Sequence, residues 1–199
     1  MKIYDISQEV FSCEVFPGDP EPKKNTVCSI DGGAVCNLTE FSMCAHNGTH
    51  IDAPYHFLND GKTVEQIPHE KFIGFAYVAE HDGLVSAEDA EKIIKKARSF
   101  SDEAAKRIII KGKATLSYSA AEVLVNENIV LFGNESQTVG PEDAPMAVHK
   151  LMLGAEIVLL EGIRLSEVPE GVYLLNSIPL CLAGADGAPC RAVLIDLEK

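Results

Sequence analysis

Three of the six histidines and one aspartate fall within eleven residues, His46-Asn47-Gly48-Thr49-His50-Ile51-Asp52-Ala53-Pro54-Tyr55-His56. His46, His50, Asp52 and His56 all occupy even positions, so along extended backbone their side chains share one face. Imidazole and carboxylate together form the donor set of a borderline divalent metal. A straight strand does not suffice. At ~3.3 Å per residue the His46 and His50 Cα atoms would stand about 13 Å apart, whereas metal–nitrogen bonds span about 2.0–2.1 Å. The chain must bend, and Gly48 is the residue that permits it. Pro54 then turns the chain so that His56 faces the same cavity. A helix with His46 and His50 four apart is disfavoured by Gly48, Thr49 and Pro54. The competing readings are a chance arrangement and a closed structural zinc site, which favours Cys-rich tetrahedra.

Two further donors lie far along the chain. His149 sits in a predicted helix, and Glu161 ends the strand that follows, where α/β sites gather. Pattern alone leaves each open as a core or surface residue. His69 and His81 read as surface, and Cys44 as a small buried hydrophobe rather than a ligand.

The elements that position these residues follow from periodicity and punctuation. Lys2 to Phe16 reads as extended pieces ended by Pro17-Gly18-Asp19-Pro20. Asn25–Ile30 and Leu38–Ala45 read as strands around Asp31-Gly32-Gly33, the second leading into the histidine cluster. Phe72–Glu80, Arg107–Ile110, Ile129–Phe132, Ile157–Leu160, Val172–Leu175 and Ala192–Leu197 are the remaining predicted strands. Ser86 opens a helix through a capping box with Asp89, Ser119 opens a short one to about Asn126, and a third spans Pro141–Leu153 with Gly154 as its stop. Strands first, then alternating strands and helices, predict a mixed α/β fold.

At 199 residues, with no repeat or linker, the chain reads as one domain, 1–199. That length buries roughly 70% of the unfolded surface, so no disulfide staples are needed. The net charge of -13 argues against nucleic acid and anionic membrane surfaces as partners. The six cysteines form no Cys-x-x-Cys pair. The opening Met1-Lys2-Ile3-Tyr4-Asp5 turns polar at once, and no apolar run reaches the length of a membrane span. These features predict a cytoplasmic protein with reduced thiols.

The stretch from His46 to His56 resembles the His-x-Gly-Thr-His-x-Asp-x-Pro-x-His motif of the cyclase-family metal-dependent hydrolases, which include bacterial kynurenine formamidase and isatin hydrolase. Asp5-Ile6-Ser7, Phe16 to Pro20, Pro145 to His149 with Glu161, and Gly184 to Val193 resemble the family's other signatures. The resemblance implies a single compact α/β domain with a mixed central β-sheet or barrel and flanking helices, assembled as a homodimer or higher. It implies His46, His50 and Asp52 as ligands of a first metal, and Asp52, His149 and Glu161 as ligands of a second, with His56 as the proton-transfer residue. The metal would be zinc, with manganese as the alternative. The implied reaction is hydrolysis of an amide C–N bond, in an aryl formamide such as N-formylkynurenine or a cyclic amide. The rival is a metal- or ligand-binding member of the same fold without catalysis. Two departures bear on substrate. Phe16, a substrate-contacting position, stands where the formamidases carry Trp, and Glu135-Ser136-Gln137-Thr138 replaces an Asp-Thr-Pro-Ser-like segment.

Overall fold

The computed structural model describes residues 1–141 and 144–197. Among these lie thirteen strands: β1 (Lys2–Asp5), β2 (Lys23–Cys28), β3 (Leu38–Ser42), β4 (His50–Asp52), β5 (Ile73–Glu80), β6 (Gly83–Val85), β7 (Arg107–Lys111), β8 (Ala114–Leu116), β9 (Leu131–Asn134), β10 (Val158–Glu161), β11 (Gly171–Asn176), β12 (Gly187–Pro189) and β13 (Val193–Asp196). The α-helices are α1 (Ala87–Phe100), α2 (Tyr118–Asn126) and α3 (Met146–Gly154). Nine strands form one mixed sheet in the order β1-β13-β11-β5-β7-β9-β10-β4-β12. Its centre, β5-β7-β9-β10, is parallel, and the remaining pairings are antiparallel. The expected α/β fold with a mixed central sheet is therefore the one observed.

Period-two alternation splits the central strands between two cores. Tyr77, Ile108, Ile110, Phe132 and Leu159 face one side, where Ala90, Ile94 and Ala97 of α1, Leu124 of α2 and Val148 and Met152 of α3 cover them. Val78, Ile109, Leu131, Val158 and Leu160 face the other, against Tyr4, Ile51, Leu175 and Leu194 of the curling sheet ends. Each central strand is thus apolar on both faces, as buried parallel strands must be.

Several expected boundaries move. The α1 cap is as expected: Ser86 Oγ accepts the Asp89 N–H and Asp89 returns the bond. For α2 the cap is Ser117, not Ser119, and its Oγ accepts the Ala120 N–H at 3.1 Å. Helix α3 begins at Met146 rather than Pro141. Pro145 disfavours helical backbone at Ala144, so the helix opens only after it; positions 142 and 143 of the expected span lie outside the described residues. Gly154 belongs to α3, and the left-handed turn beyond it falls at Glu156, φ 57°. The segment to Phe16 holds only β1 and one short helical turn. Among the described residues, strands β2 and β3 pair with each other alone, in a hairpin apart from the main sheet, and β3 stops at Ser42, before the cluster.

The bend at Gly48 is present, with φ at 63°. A Cβ there would lie 2.8 Å from Cys13 Cβ. Gly48→Ala therefore combines a left-handed L-residue, costing ~1–2 kcal/mol, with a steric clash. Thermal melting should show destabilisation by at least that amount, and metal titration a weakened site; wild-type values for both would remove the requirement for glycine.

Candidate metal centre and active site

Only the middle of the motif is strand. His46 lies in a turn, His50 to Asp52 form β4, and His56 ends a short helical turn that starts at Pro54. The cluster is therefore folded, not the single extended face that parity suggests. Strand β4 is inserted between β10 and β12, with Glu161 directly opposite His50 and Leu159 opposite Asp52. Alternation sends Ile51 into the second core and leaves His50, Asp52 and Glu161 on the helix-covered side. There His149, in the first turn of α3, meets them. Its Nε2 lies 3.2 Å from Glu161 Oε1 and 3.6 Å from Asp52 Oδ2. His50 Nε2 lies 3.4 Å from both Asp52 Oδ1 and Glu161 Oε2.

Backbone carbonyls fix both rings. His50 Nδ1–H donates to Gly48 O and His149 Nδ1–H to Pro145 O, each at 2.9 Å. In the neutral tautomer this leaves each Nε2 lone pair facing the carboxylates, the outer-sphere arrangement of histidine ligands. Glu161 Oε1 also accepts the Val139 N–H at 2.8 Å. His46 completes the group. Its Nδ1 lies 2.8 Å from Asp52 Oδ1 and its Nε2 2.8 Å from Asp186 Oδ2. Gly187 makes room for this ring, because a Cβ there would stand 2.7 Å from its Cε1.

His56 stacks on His46 with centroids 3.9 Å apart, and its Nδ1 lies 3.1 Å from Asp186 Oδ2. Its Nε2 has no partner among the described residues. These groups line a cavity of ≈ 250 Å³, with Phe16, Phe57 and Thr138 in its wall. Phe57 stacks on His149 at 4.6 Å. All six expected site positions and Phe16 thus border one cavity or its floor. His69 is exposed, and the His81 ring bonds the Leu84 carbonyl, away from the cluster. Cys44 contacts Asp19 rather than the cluster, and all six thiols are free. Sequence reasoning missed Asp186 and Phe57. The one trace of Asp186 was its place inside the Gly184–Val193 signature, and nothing in the residue order marked Phe57.

Electrostatics bind the cluster together. Burial opposes charge on His46, but hydrogen bonds to Asp186 and Asp52 outweigh it and push the imidazole up to about 11. His50 is likewise disfavoured by burial yet pushed up to about 9 by Asp52 and Glu161. Asp186, bonded to His46 and His56, is held well below the usual carboxylate range. Burial would raise Asp52, but His46 and His50 hold it low.

Donor chemistry fits a divalent cation. Three sets, His46-His50-Asp52, Asp52-His149-Glu161 and His46-His56-Asp186, each bring one ligand atom per residue within 4.8 Å of the others. Asp52 belongs to the first two, and its Oδ2 is buried with no hydrogen-bond partner among the described residues. A buried carboxylate oxygen left unpaired is costly, and a cation satisfies it.

The Cyclase family model matches residues 4–141. The chain belongs to the cyclase family. It is also 31% identical to the kynurenine formamidase of Salinibacter ruber, over 98% of each chain. A solved "Potential Metal-Dependent Hydrolase With Cyclase Activity" superposes with a TM-score of 0.80 at 24% identity, over 97% of this chain and 96% of that one. An isatin hydrolase bound to the product analogue thioisatinate gives 0.82 at 16% identity, over 97% and 91%. These two share the fold. With its family, this chain is a hydrolase.

The raised histidines set a pH dependence for the metal-free protein. A folded-state pKa above the unfolded value adds stability that is complete below about 6.5 and is lost as pH rises through the folded value, about 9 for His50 and about 11 for His46. Denaturant melts of chelated protein should accordingly weaken from pH 7 to pH 10. Cation binding must expel these protons. Calorimetric titration with Zn²⁺ at pH 7, in buffers of different ionisation enthalpy, should report net proton release; its absence would remove His46 and His50 from the donor set.

Proposed function

We propose that this cyclase-family chain is a metal-dependent amidohydrolase that cleaves the C–N bond of a small aryl formamide, N-formylkynurenine or a close relative. The observation that carries the reading is Asp52. Its buried, unpartnered oxygen lies between two donor sets, with an aromatic-walled cavity above them. The curated formamidase relative supports the substrate class. In this reading His46, His50 and Asp52 hold one cation, and Asp52, His149 and Glu161 a second. Mixed nitrogen and oxygen donors suit zinc, with manganese as the alternative. A bound cation would supply Lewis-acid activation of water and of the amide carbonyl.

The chain's own residues do the rest. Phe16 and Phe57 offer aromatic faces for the aryl ring. Asp186 fixes the His56 ring through Nδ1, and stacking on His46 holds its plane. His56 Nε2 is left to carry a proton to the leaving nitrogen, a role suited to imidazole near neutral pH. A cyclic amide is the second reading, favoured by the likeness of fold to isatin hydrolase.

We also infer a homodimer or higher assembly. Its support is the β2–β3 hairpin, which pairs with no other strand among the described residues and leaves Val27, Leu38 and Phe41 about half exposed. Two-stranded hairpins are marginal alone. Free thiols suit a cytoplasmic setting. No helix among the described residues is long and apolar enough to cross a membrane.

His56→Ala should retain wild-type metal content while kcat on N-formylkynurenine falls about 10²–10⁴-fold; full turnover would remove His56 from the reaction. Chelation should abolish turnover and re-addition of Zn²⁺ or Mn²⁺ restore it. Stoichiometric metal without hydrolysis of any amide would favour a binding protein instead. Light scattering should give at least twice the chain's mass, and Phe41→Glu should lower it.

A further inference from the structure

The cavity over the metal donors, ≈ 250 Å³, is small for a whole ligand; clefts that enclose one span about 300–1,000 Å³. A second cavity of ≈ 500 Å³ adjoins it and shares the wall made by Phe16, Gln137 and Thr138. Three charged side chains border this outer space: Glu14, Glu135 and Lys113. Both carboxylates are already engaged. Glu14 pairs with Arg164 at 3.2 Å. Glu135 accepts the Gly112 N–H at 2.6 Å and the Leu165 N–H at 2.9 Å.

Lys113 differs. Its side chain is exposed and has no ion pair among the described residues, while its backbone is pinned on both sides. The Lys113 N–H donates to Asp82 Oδ1 at 3.1 Å, and its carbonyl accepts the Gly83 N–H at 2.9 Å. An anchored stem with an uncommitted ammonium stands beside two carboxylates whose acceptor atoms are already engaged, which leaves Lys113 as the charged group of this wall able to meet an anion. Behind the shared wall, both amide atoms of Gln137 are buried without a hydrogen-bond partner among the described residues, with Nε2 packed against Gly162, at a position where the sequence departs from the family's pattern.

We propose that the outer cavity is a tail subsite in which Lys113 pairs with a carboxylate of the substrate, so that the chain prefers amides bearing an acid tail. The scissile amide then occupies the inner cavity while the tail passes Phe16 and Gln137. This rests on the amidohydrolase reading and adds a specificity-determining residue to it.

The test compares wild type, Lys113→Met and Lys113→Arg, all metal-loaded, on N-formyl-L-kynurenine and on formanilide, which lacks the tail. The ratio of kcat/KM for the acid over the neutral amide should fall about three- to tenfold in K113M, through KM, and recover in K113R. Taking the ratio cancels any general damage to the enzyme. An unchanged ratio overturns the subsite while leaving the amidohydrolase reading intact; hydrolysis of neither amide by wild type overturns that reading instead. Calorimetric binding of L-kynurenine judges the subsite without turnover. K113M should weaken it about three- to tenfold, and 0.5 M NaCl should weaken wild-type binding more than the variant's. No wild-type binding, or equal affinities, overturns the proposal.

Discussion

Two carboxylates, Asp52 and Glu161, are buried side by side in this molecule, and everything around them answers that fact. Each ion is costly to desolvate, and each repels the other. The protein places positive or proton-bearing groups within reach: His50 between them, His46 on one flank and His149 on the other. The pairing of β4 with β10 creates the problem and the answer together, because it sets His50 opposite Glu161. Shifted by one residue, that register would turn His50 and Asp52 into the apolar core now filled by Ile51. The cluster is thus a property of strand register as much as of residue type.

Sequence resolved the local part of this site. His50 and Asp52 share a strand, and Gly48 had to bend because geometry left no other way to approach His46. Glu161 and His149 were harder, since their contacts with the motif span about a hundred residues and no local pattern encodes register across such a gap. Only the family resemblance singled them out as candidate ligands. Asp186 was marked only by its place inside the Gly184–Val193 signature. It sits in a Gly-flanked, half-exposed loop that reads as a surface acid until β12 brings it against His46 and His56.

The fold shows the same division. Long apolar strands such as β5 and β7 and the well-capped α1 were legible, because periodicity and capping are local. The three-residue strand β12 was not, since it exists only through the neighbour it pairs with, and β4 was legible as extended backbone but not in its pairing with β10 and β12. Helix α3 began late for a local reason, the backbone restriction that Pro145 imposes on Ala144. The hairpin was read as two strands, but nothing in its residues indicated that it would stand apart from the main sheet.

Strand β4 has hydrogen-bonded neighbours on both edges, β10 and β12. His50 and Asp52 can therefore be carried away from the cluster only if two ladders part at once. The floor of the site is therefore held as a socket, and the less buried rings of His46 and His56 form its rim. A cation held there would enter and leave past that rim with both ladders intact, as an event of the native state rather than an episode of unfolding.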